Sequence, residues 1–340
     1  MGEDSEPQSS AEVSYEENTV HQSDTLEESS GDECYKNYAT QCEYVLSLPR
    51  IKPDYGRDRK ARGLWPWQRF LALGIAKRFL LCSVKIPLEY LSASKYIYKT
   101  YRLRNTKISR RAIVIGNGPS QGSLSADFLN RFQADGGDTI AVNYWHLNKR
   151  LRNHIPTMIV LSDPSTFEGE KGRSLVEYLR AHPGISLVTP TSKFASVLND
   201  LGLESRTSKF IDIEARFMRS ISPCCPRGYL SMTLYKALAW AVHLGYSKIG
   251  VIGMDNTYPR NVFCDENNNV LNHEIHAGIS DYVLDQSELY PNVAALLHSL
   301  YKLFKDLELF PNTNVFNLDK YSLTDRFRKV EIDDFSESLG

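Results

Sequence analysis

The residues best suited to moving a proton in this chain are two histidines flanked by tyrosines. His273 and His276 lie in the polar stretch 257–290, with Tyr258 before them and Tyr282 after. Imidazole titrates near neutral pH, and a positioned base contributes roughly 10²- to 10⁴-fold to a rate. The bland alternative is a pair of solvated surface histidines. As a zinc site the pair is incomplete, because it needs a third ligand that the cysteines are badly placed to supply. No Ser-His-Asp order, HExxH or Walker signature is present. Asp-x-Asp is missing too; Asp212-Ile213-Glu214 is the nearest approach and reads as chance.

A second set of polar residues sits where apolar runs stop. Ala112, Ile113, Val114 and Ile115 end on Gly116-Asn117-Gly118-Pro119-Ser120. Residues 139–143 form a second run ending in Asn143. A third, 157–161, stops on Ser162-Asp163-Pro164-Ser165, and a later one, 248–253, on Met254-Asp255-Asn256. Short β-branched runs of this kind read as strands buried on both faces of a parallel sheet, and ligands bind at the carboxyl ends of such strands. A dinucleotide fingerprint does not fit, because Gly116, Gly118 and Gly122 are one residue too widely spaced and the second strand ends in Asn143 rather than an acid. A P-loop is excluded because no Lys-Ser or Lys-Thr follows this turn. What remains is a loop suited to a mononucleotide, or a plain turn. Asp255 suits a ribose or acceptor hydroxyl, or the capping of the next turn.

The elements that must position these residues alternate strand and helix. Ser125 reads as the N-cap of a short helix through Phe132, and further helices are expected near 175–181 and at 293–307. Strands are expected at 185–188, 210–213 and 315–318. The clearest helix is 229–244, where Leu230, Leu234, Ala237, Leu238, Ala241 and Leu244 recur at helical spacing before Gly245. Ser231 and Thr233 fall in its first turns, where free N–H groups make a phosphate or carboxylate seat, or where ordinary capping suffices. Residues 257–290 show no periodicity and read as a lid or binding loop. The expected class is α/β and Rossmann-like, a mostly parallel sheet with helices on both faces.

The 340 residues are 42% hydrophobic, enough for a sizeable core, and the formal net charge of −1 argues against a dedicated nucleic-acid binder. The charge is unevenly spread. Residues 1–50 are rich in Glu, Asp, Ser and Gln and read as a disordered acidic tail. Residues 51–108 reverse the sign and interleave cations with Trp65, Trp67, Phe70 and Leu71 as a basic amphipathic helical segment, which Pro87 ends or kinks. That segment, through 57–104, either lies at a membrane interface or is a helical extension packed on the main domain or a partner subunit. Residues 109–330 make the catalytic domain and 331–340 a C-terminal tail. No apolar run is long enough to span a membrane, the first residues lack a signal peptide, and the six cysteines show neither CxxC spacing nor a dense framework. The expected location is therefore cytoplasmic, at the inner face of a membrane if the basic stretch meets lipid.

In order along the chain, Ile115-Gly116-Asn117-Gly118-Pro119-Ser120, Val142-Asn143, Ser162-Asp163-Pro164-Ser165, Ser231 with its helix, and Val251-Ile252-Gly253-Met254-Asp255 resemble the bacterial sialyltransferases of the Campylobacter type. They equally resemble 6-hydroxymethylpterin pyrophosphokinase-like proteins, in which an Asn-His pair such as Asn272-His273 follows the Gly-x-Asp strand. The first resemblance implies a metal-independent glycosyltransferase without cofactor, moving a CMP-activated acidic sugar to a glycan hydroxyl. It implies that Gly116, Asn117, Gly118, Ser120, Asn143, Ser162, Asp163, Ser165, Ser231 and Asp255 hold the nucleotide. His273 or His276 would deprotonate the acceptor while Tyr258 and Tyr282 support the departing phosphate. Three departures stand out: Gln121-Gly122-Ser123 separates Ser120 from the leucine that usually follows, Asp163 replaces an asparagine, and His273 lies closer in sequence to Asp255 than the base of those enzymes does to the equivalent acid. The second resemblance implies ATP- and Mg²⁺-dependent pyrophosphoryl transfer, with Asp163 and Asp255 holding the metal. A non-catalytic scaffold keeping the same fold is the remaining class.

Overall fold

A computed structural model describes residues 76, 79–191, 194–215, 218–229, 232–256, 262–264, 270–273, 287–290 and 293–337. The acidic stretch 1–50, the basic stretch up to 75, and Ser231, Tyr258, His276 and Tyr282 lie outside the described residues.

The chain enters through a π-helical turn, Leu81–Lys85, that runs into α1 (Ile86–Arg102). Pro87 does not end this path. It occupies the first turn of α1, directly after the wide turn in which the Ile86 N–H reaches back to Leu81, so no α-helical bond is missing its donor. Then come β1 (Arg111–Ile115), α2 (Ala126–Ala134), β2 (Asp138–Val142), β3 (Met158–Val160), α3 (Gly169–Ala181), β4 (Ser186–Pro190), α4 (Ala195–Asp200) and β5 (Thr207–Phe210). The second half holds α5 (Thr233–Leu244), β6 (Lys248–Ile252), β7 (Val262–Cys264), β8 (Val270–His273), β9 (Ser287–Tyr290), α6 (Val293–Asp306), β10 (Val315–Asn317), β11 (Arg328–Lys329) and α7 (Ile332–Glu337).

Eight strands form one all-parallel sheet in the order β11-β10-β6-β1-β2-β3-β4-β5. In the middle of it every residue of β1 and β2 is buried, as a strand covered on both faces must be. Ala112, Val114, Ile140 and Val142 pack with α5 and with Leu303 of α6 on one face. Ile113, Ile115 and Ala141 pack with Leu129, Phe132, Leu175, Leu179, Leu198 and Phe335 on the other, bringing α2, α3, α4 and α7 together there. This is the α/β, Rossmann-like class that the alternation implies. The chain runs outward from β1 through β5, then returns to place β6 on the opposite side of β1, so the strand order reverses at the β1–β6 pair.

Several boundaries differ from the sequence reading. The expected 229–244 helix begins at Thr233, with Met232 extended before it. Upstream, Arg227 is held in extended pairing, donating its N–H to Ile213 and accepting from Ala215, which precludes a helical turn there. The strand expected at 210–213 lies at 207–210. Ile211 and Ile213 instead pack with Ala93, Ile86 and Ile97 of α1. Within the stretch read as aperiodic, β7, β8 and β9 form a separate antiparallel sheet. The last residues, set apart in sequence as a tail, include α7. Its Phe335 is buried against Phe132 and Phe316, and its Phe335 and Ser336 carbonyls accept from the Arg111 guanidinium.

The link between β2 and β3 is fixed by a fully buried histidine. His154 Nδ1 faces Asn130 Oδ1 at 2.7 Å, so it carries the proton, and Nε2 accepts from the Thr139 hydroxyl at 2.9 Å. Burial lowers its pKa from 6.5 to about 4, because the cation would be desolvated. Between those values the unfolded chain binds the proton that the folded chain refuses, so stability rises with pH across the window. The contribution is complete above 6.5 and is lost as pH falls toward 4. His146 is shifted in the same direction, to about 4, also by burial. Urea midpoints should therefore fall on acidification from 6.5 to 4, with a shallower slope in His154→Gln; parent and variant slopes that coincide would contradict this account.

Candidate functional site

The carboxyl ends of β1, β2, β3 and β6 bring the sequence-derived polar residues to one edge of the sheet. At the β1 end the Gly116 N–H donates to Ile252 O at 2.8 Å and the Gly118 N–H to Gly253 O at 3.1 Å. The two turns touch so closely that a Cβ on Gly116 would stand 2.5 Å from Gly253 O, and one on Gly118 would collide with the Asp255 carboxylate. Gly253 itself has a φ of +73°, open to glycine at little cost. These glycines let one strand-end turn lie directly upon the other.

Ser120 and Asp255 close that contact. The Ser120 N–H donates to Asp255 Oδ1 and its hydroxyl to Oδ2, both at 2.8 Å, while the Gly253 N–H donates to the same hydroxyl oxygen at 2.9 Å. Asp255 is buried; burial pushes its pKa up, and the Ser120 hydrogen bonds oppose that shift. Its backbone continues the bracing, since Leu323 N–H donates to Asp255 O and the Ser322 hydroxyl to Met254 O. Gln121 turns inward as well, donating to Gly116 O and accepting from Asn148. The three residues that interrupt the expected Ser-Leu step thus complete a 3-10 turn, Pro119–Ser123, anchored by this buried glutamine. Asn117 is different: it is half-buried at the tip of the turn and makes no side-chain hydrogen bond among the described residues.

A second cluster joins β2, β3 and α5. Asn143 ends β2 with a φ of +41°, a left-handed conformation that asparagine tolerates. Its Nδ2 donates to Thr233 Oγ1 at 2.9 Å and its Oδ1 accepts from the Ser162 N–H at 3.2 Å. The Ser162 hydroxyl meets the same Thr233 oxygen at 2.7 Å. The first residue of α5 is therefore tied to the ends of two strands, and its free N–H groups begin above them. Beside this, Asp163 Oδ1 accepts from the Ser165 N–H at 3.0 Å and hydroxyl at 2.8 Å, and Tyr144 OH lies 3.1 Å from Asp163 Oδ2 and 2.5 Å from Ser165 Oγ. Burial raises the Tyr144 pKa, so the phenol stays protonated and acts as a donor. Sequence reasoning passed over Tyr144; its one visible signal is its position directly after the Val142-Asn143 strand end.

Asp212 and Glu214, the near-miss for Asp-x-Asp, face Arg227, and Asp212 also meets Lys236 Nζ at 3.4 Å. The side chains of Asp212, Arg227 and Lys236 are all buried, so opposite charges offset one another's desolvation. Of the proton-transfer candidates, His273 closes β8, where it pairs with Ser287 of β9. Its sheet neighbours lie next to α6, whose Leu296 and Leu300 pack with Val270. The structure thus brings the nucleotide-binding candidates from β1, β2, β3 and β6 into one region and places the His273 backbone in the smaller sheet.

The fold and site together define a Rossmann-like domain with polar turns gathered at the carboxyl edge. No known family profile and no curated protein matches the chain. Among solved structures it is similar to a substituted form of the sialyltransferase CST-II in complex with CMP, at 14% identity and a TM-score of 0.37 over 65% of this chain and 85% of that one. It is also similar to the sialyltransferase CstII from Campylobacter jejuni in complex with the substrate analogue CMP-3FNeuAc, at 16% identity, a TM-score of 0.37 and the same coverage.

The bridge between the two turns yields a testable coupling. Ser120→Ala and Asp255→Asn should each cost about 1–3 kcal/mol, because each strands a buried donor or sets one donor against another. The double variant should cost clearly less than the sum, read from urea unfolding. Additivity within about 0.5 kcal/mol would mean that the two side chains act independently.

Proposed function

We propose that this protein is a metal-independent glycosyltransferase that transfers an acidic sugar from a CMP-activated donor to a glycan hydroxyl. The observation that carries this reading is the gathering of four polar strand-end turns at one sheet edge, with Asn117 making no side-chain hydrogen bond among the described residues and the start of α5 tied to the second and third. Such an edge is where open α/β sheets take nucleotides, and a helix start there favours a phosphate. The order of the short motifs, which resembles that of the bacterial sialyltransferases, supports cytidine monophosphate over other nucleotides.

In this reading Asn117, Gly118 and Asn143 line the nucleotide, while Ser162, Asp163 and Ser165 shape the wall beside it. Ser120 and Asp255 serve by fixing the turn rather than by offering free groups, since each is already bonded to the other. The phosphate lies toward the first turn of α5, and Ser231 is a further ligand for the nucleotide. His273, or His276 in its place, takes the proton of the acceptor hydroxyl. The acceptor oxygen forms the new bond to the anomeric carbon as the bond from that carbon to the phosphate oxygen breaks. The electron pair leaves with the phosphate of CMP, steadied by Tyr258 and Tyr282 and by the helix start. The proton ends on the imidazole, so the step balances without a metal or a redox partner.

The test is transfer from a CMP-sugar to an oligosaccharide acceptor in the presence of EDTA. Wild-type protein should turn over, and His273→Ala should lower kcat by about 10²- to 10⁴-fold while leaving donor KM within about twofold. Full-rate transfer by His273→Ala together with loss in His276→Ala would move the base to His276. Activity seen only with ATP and Mg²⁺ would replace this reading with pyrophosphoryl transfer, and inactivity toward both substrates would favour the scaffold.

A further inference from the structure

Helix α1 presents two unlike faces. Inward, Ile86, Ala93 and Ile97 pack on Ile211 and Ile213, Tyr90 OH donates to Cys224 O at 3.0 Å, and Thr100 Oγ1 donates to Lys209 O at 2.6 Å. These contacts fix the helix beside β5, the last strand of the sheet. Outward, Phe79, Leu80, Val84, Leu88, Leu91 and Tyr98 are exposed, Leu91 by 74% and Leu88 by 59%. An open groove runs between Leu80, Val84 and Leu88. Large apolar side chains gathered on one helix face signal an interaction surface, where scattered ones would not.

The charges around this face decide what it meets. Lys95 and Arg102 continue the line of Leu88 and Leu91 at four- and seven-residue steps, and Lys85 and Lys99 flank it; all four are exposed. The only acid in α1 is Glu89, and its carboxylate accepts from Thr191 on the main domain. A second copy laid on this face in either direction would set cations against apolar or cationic residues, with no acid to receive them. In residues 1–50 the acids lie almost all before Cys34, whereas the apolar cluster Tyr44, Val45, Leu46 and Leu48 comes with Glu43 alone, so no one stretch supplies both charge and apolar bulk. An anionic bilayer surface supplies both, hydrocarbon for the leucines and phosphate or carboxylate for the cations, with Tyr98 suited to the headgroup level. The preceding stretch repeats that chemistry in sequence, with Trp65, Trp67 and Phe70 among Arg57, Arg59, Lys60, Arg62 and Arg69.

We infer that the outward face of α1 docks the protein on an anionic lipid surface, the leucines entering the interface and Lys95 and Arg102 meeting the headgroups. The inference is independent of the glycosyltransferase reading. The test is sedimentation of the full chain with phosphatidylcholine vesicles, with and without phosphatidylserine, for the parent and for Leu88→Glu/Leu91→Glu. Both leucines are exposed, so the substitution leaves the fold intact, checked by an unchanged thermal midpoint. The parent should bind the serine-containing vesicles at least about tenfold more tightly than the variant, and should bind phosphatidylcholine alone more weakly. Parent protein that stays in the supernatant with both vesicles, or a variant that binds as the parent does, would overturn the inference. A concentration-dependent dimer abolished by the same substitution, with no lipid binding, would assign the face to a second copy and overturn it equally.

Discussion

The arrangement depends on one close approach, the seating of the β1 turn on the β6 turn through Gly116 and Gly253. Backbones at that separation leave no room for a Cβ, and the Ser120–Asp255 bridge then fixes the turn in place. Because β1 and β6 flank the reversal in strand order, this contact closes the sheet edge on one side of β1. Asn117, Asn143 and Tyr144 stand on the other side, just past the ends of β1 and β2.

A second constraint ties α5 to the ends of β2 and β3. The helix is buried along nearly its whole length, including Lys236, whose ammonium meets Asp212. Arg227 pairs with the same carboxylate, and its backbone joins the extended segment before the helix. A buried ion cluster of this kind is a poor source of net stability, but leaving one member unpaired is costly, so it sets position strictly. Thr233, bonded to Asn143 and near Ser162, registers the start of the helix against the strand ends. Charge and hydroxyl contacts together place the phosphate-favouring end of α5.

The parts legible in sequence were those in which burial is complete on both sides. β1, β2 and β6 each carry an apolar run, and the polar residues that end those runs lie together at the carboxyl edge of the sheet. β5 was misplaced because Ser208 and Lys209 break its pattern; Lys209 is nonetheless buried, bonded to Glu204 with its ammonium over the Tyr96 ring. The start of α5 was set too early, because Tyr229 and Leu230 fit the helical period while Arg227 is committed to extended pairing. The β7–β9 sheet escaped notice because its strands are three or four residues long. At the site, the residue types were readable but their partners were not: Ser120 and Asp255 are 135 positions apart, and nothing local in either turn announces the other.

The central claim is that the carboxyl edge of β1, β2 and β3 takes CMP without a metal, with Asn117 as a direct contact. Calorimetric titration of CMP into the parent protein and into Asn117→Ala, both in EDTA, tests it most directly. The account predicts saturable one-site binding to the parent, weakened by about tenfold in Asn117→Ala, as loss of one or two hydrogen bonds to a bound ligand requires. Equal affinity in the two proteins, or no heat with CMP where ATP and Mg²⁺ give it, would contradict the account.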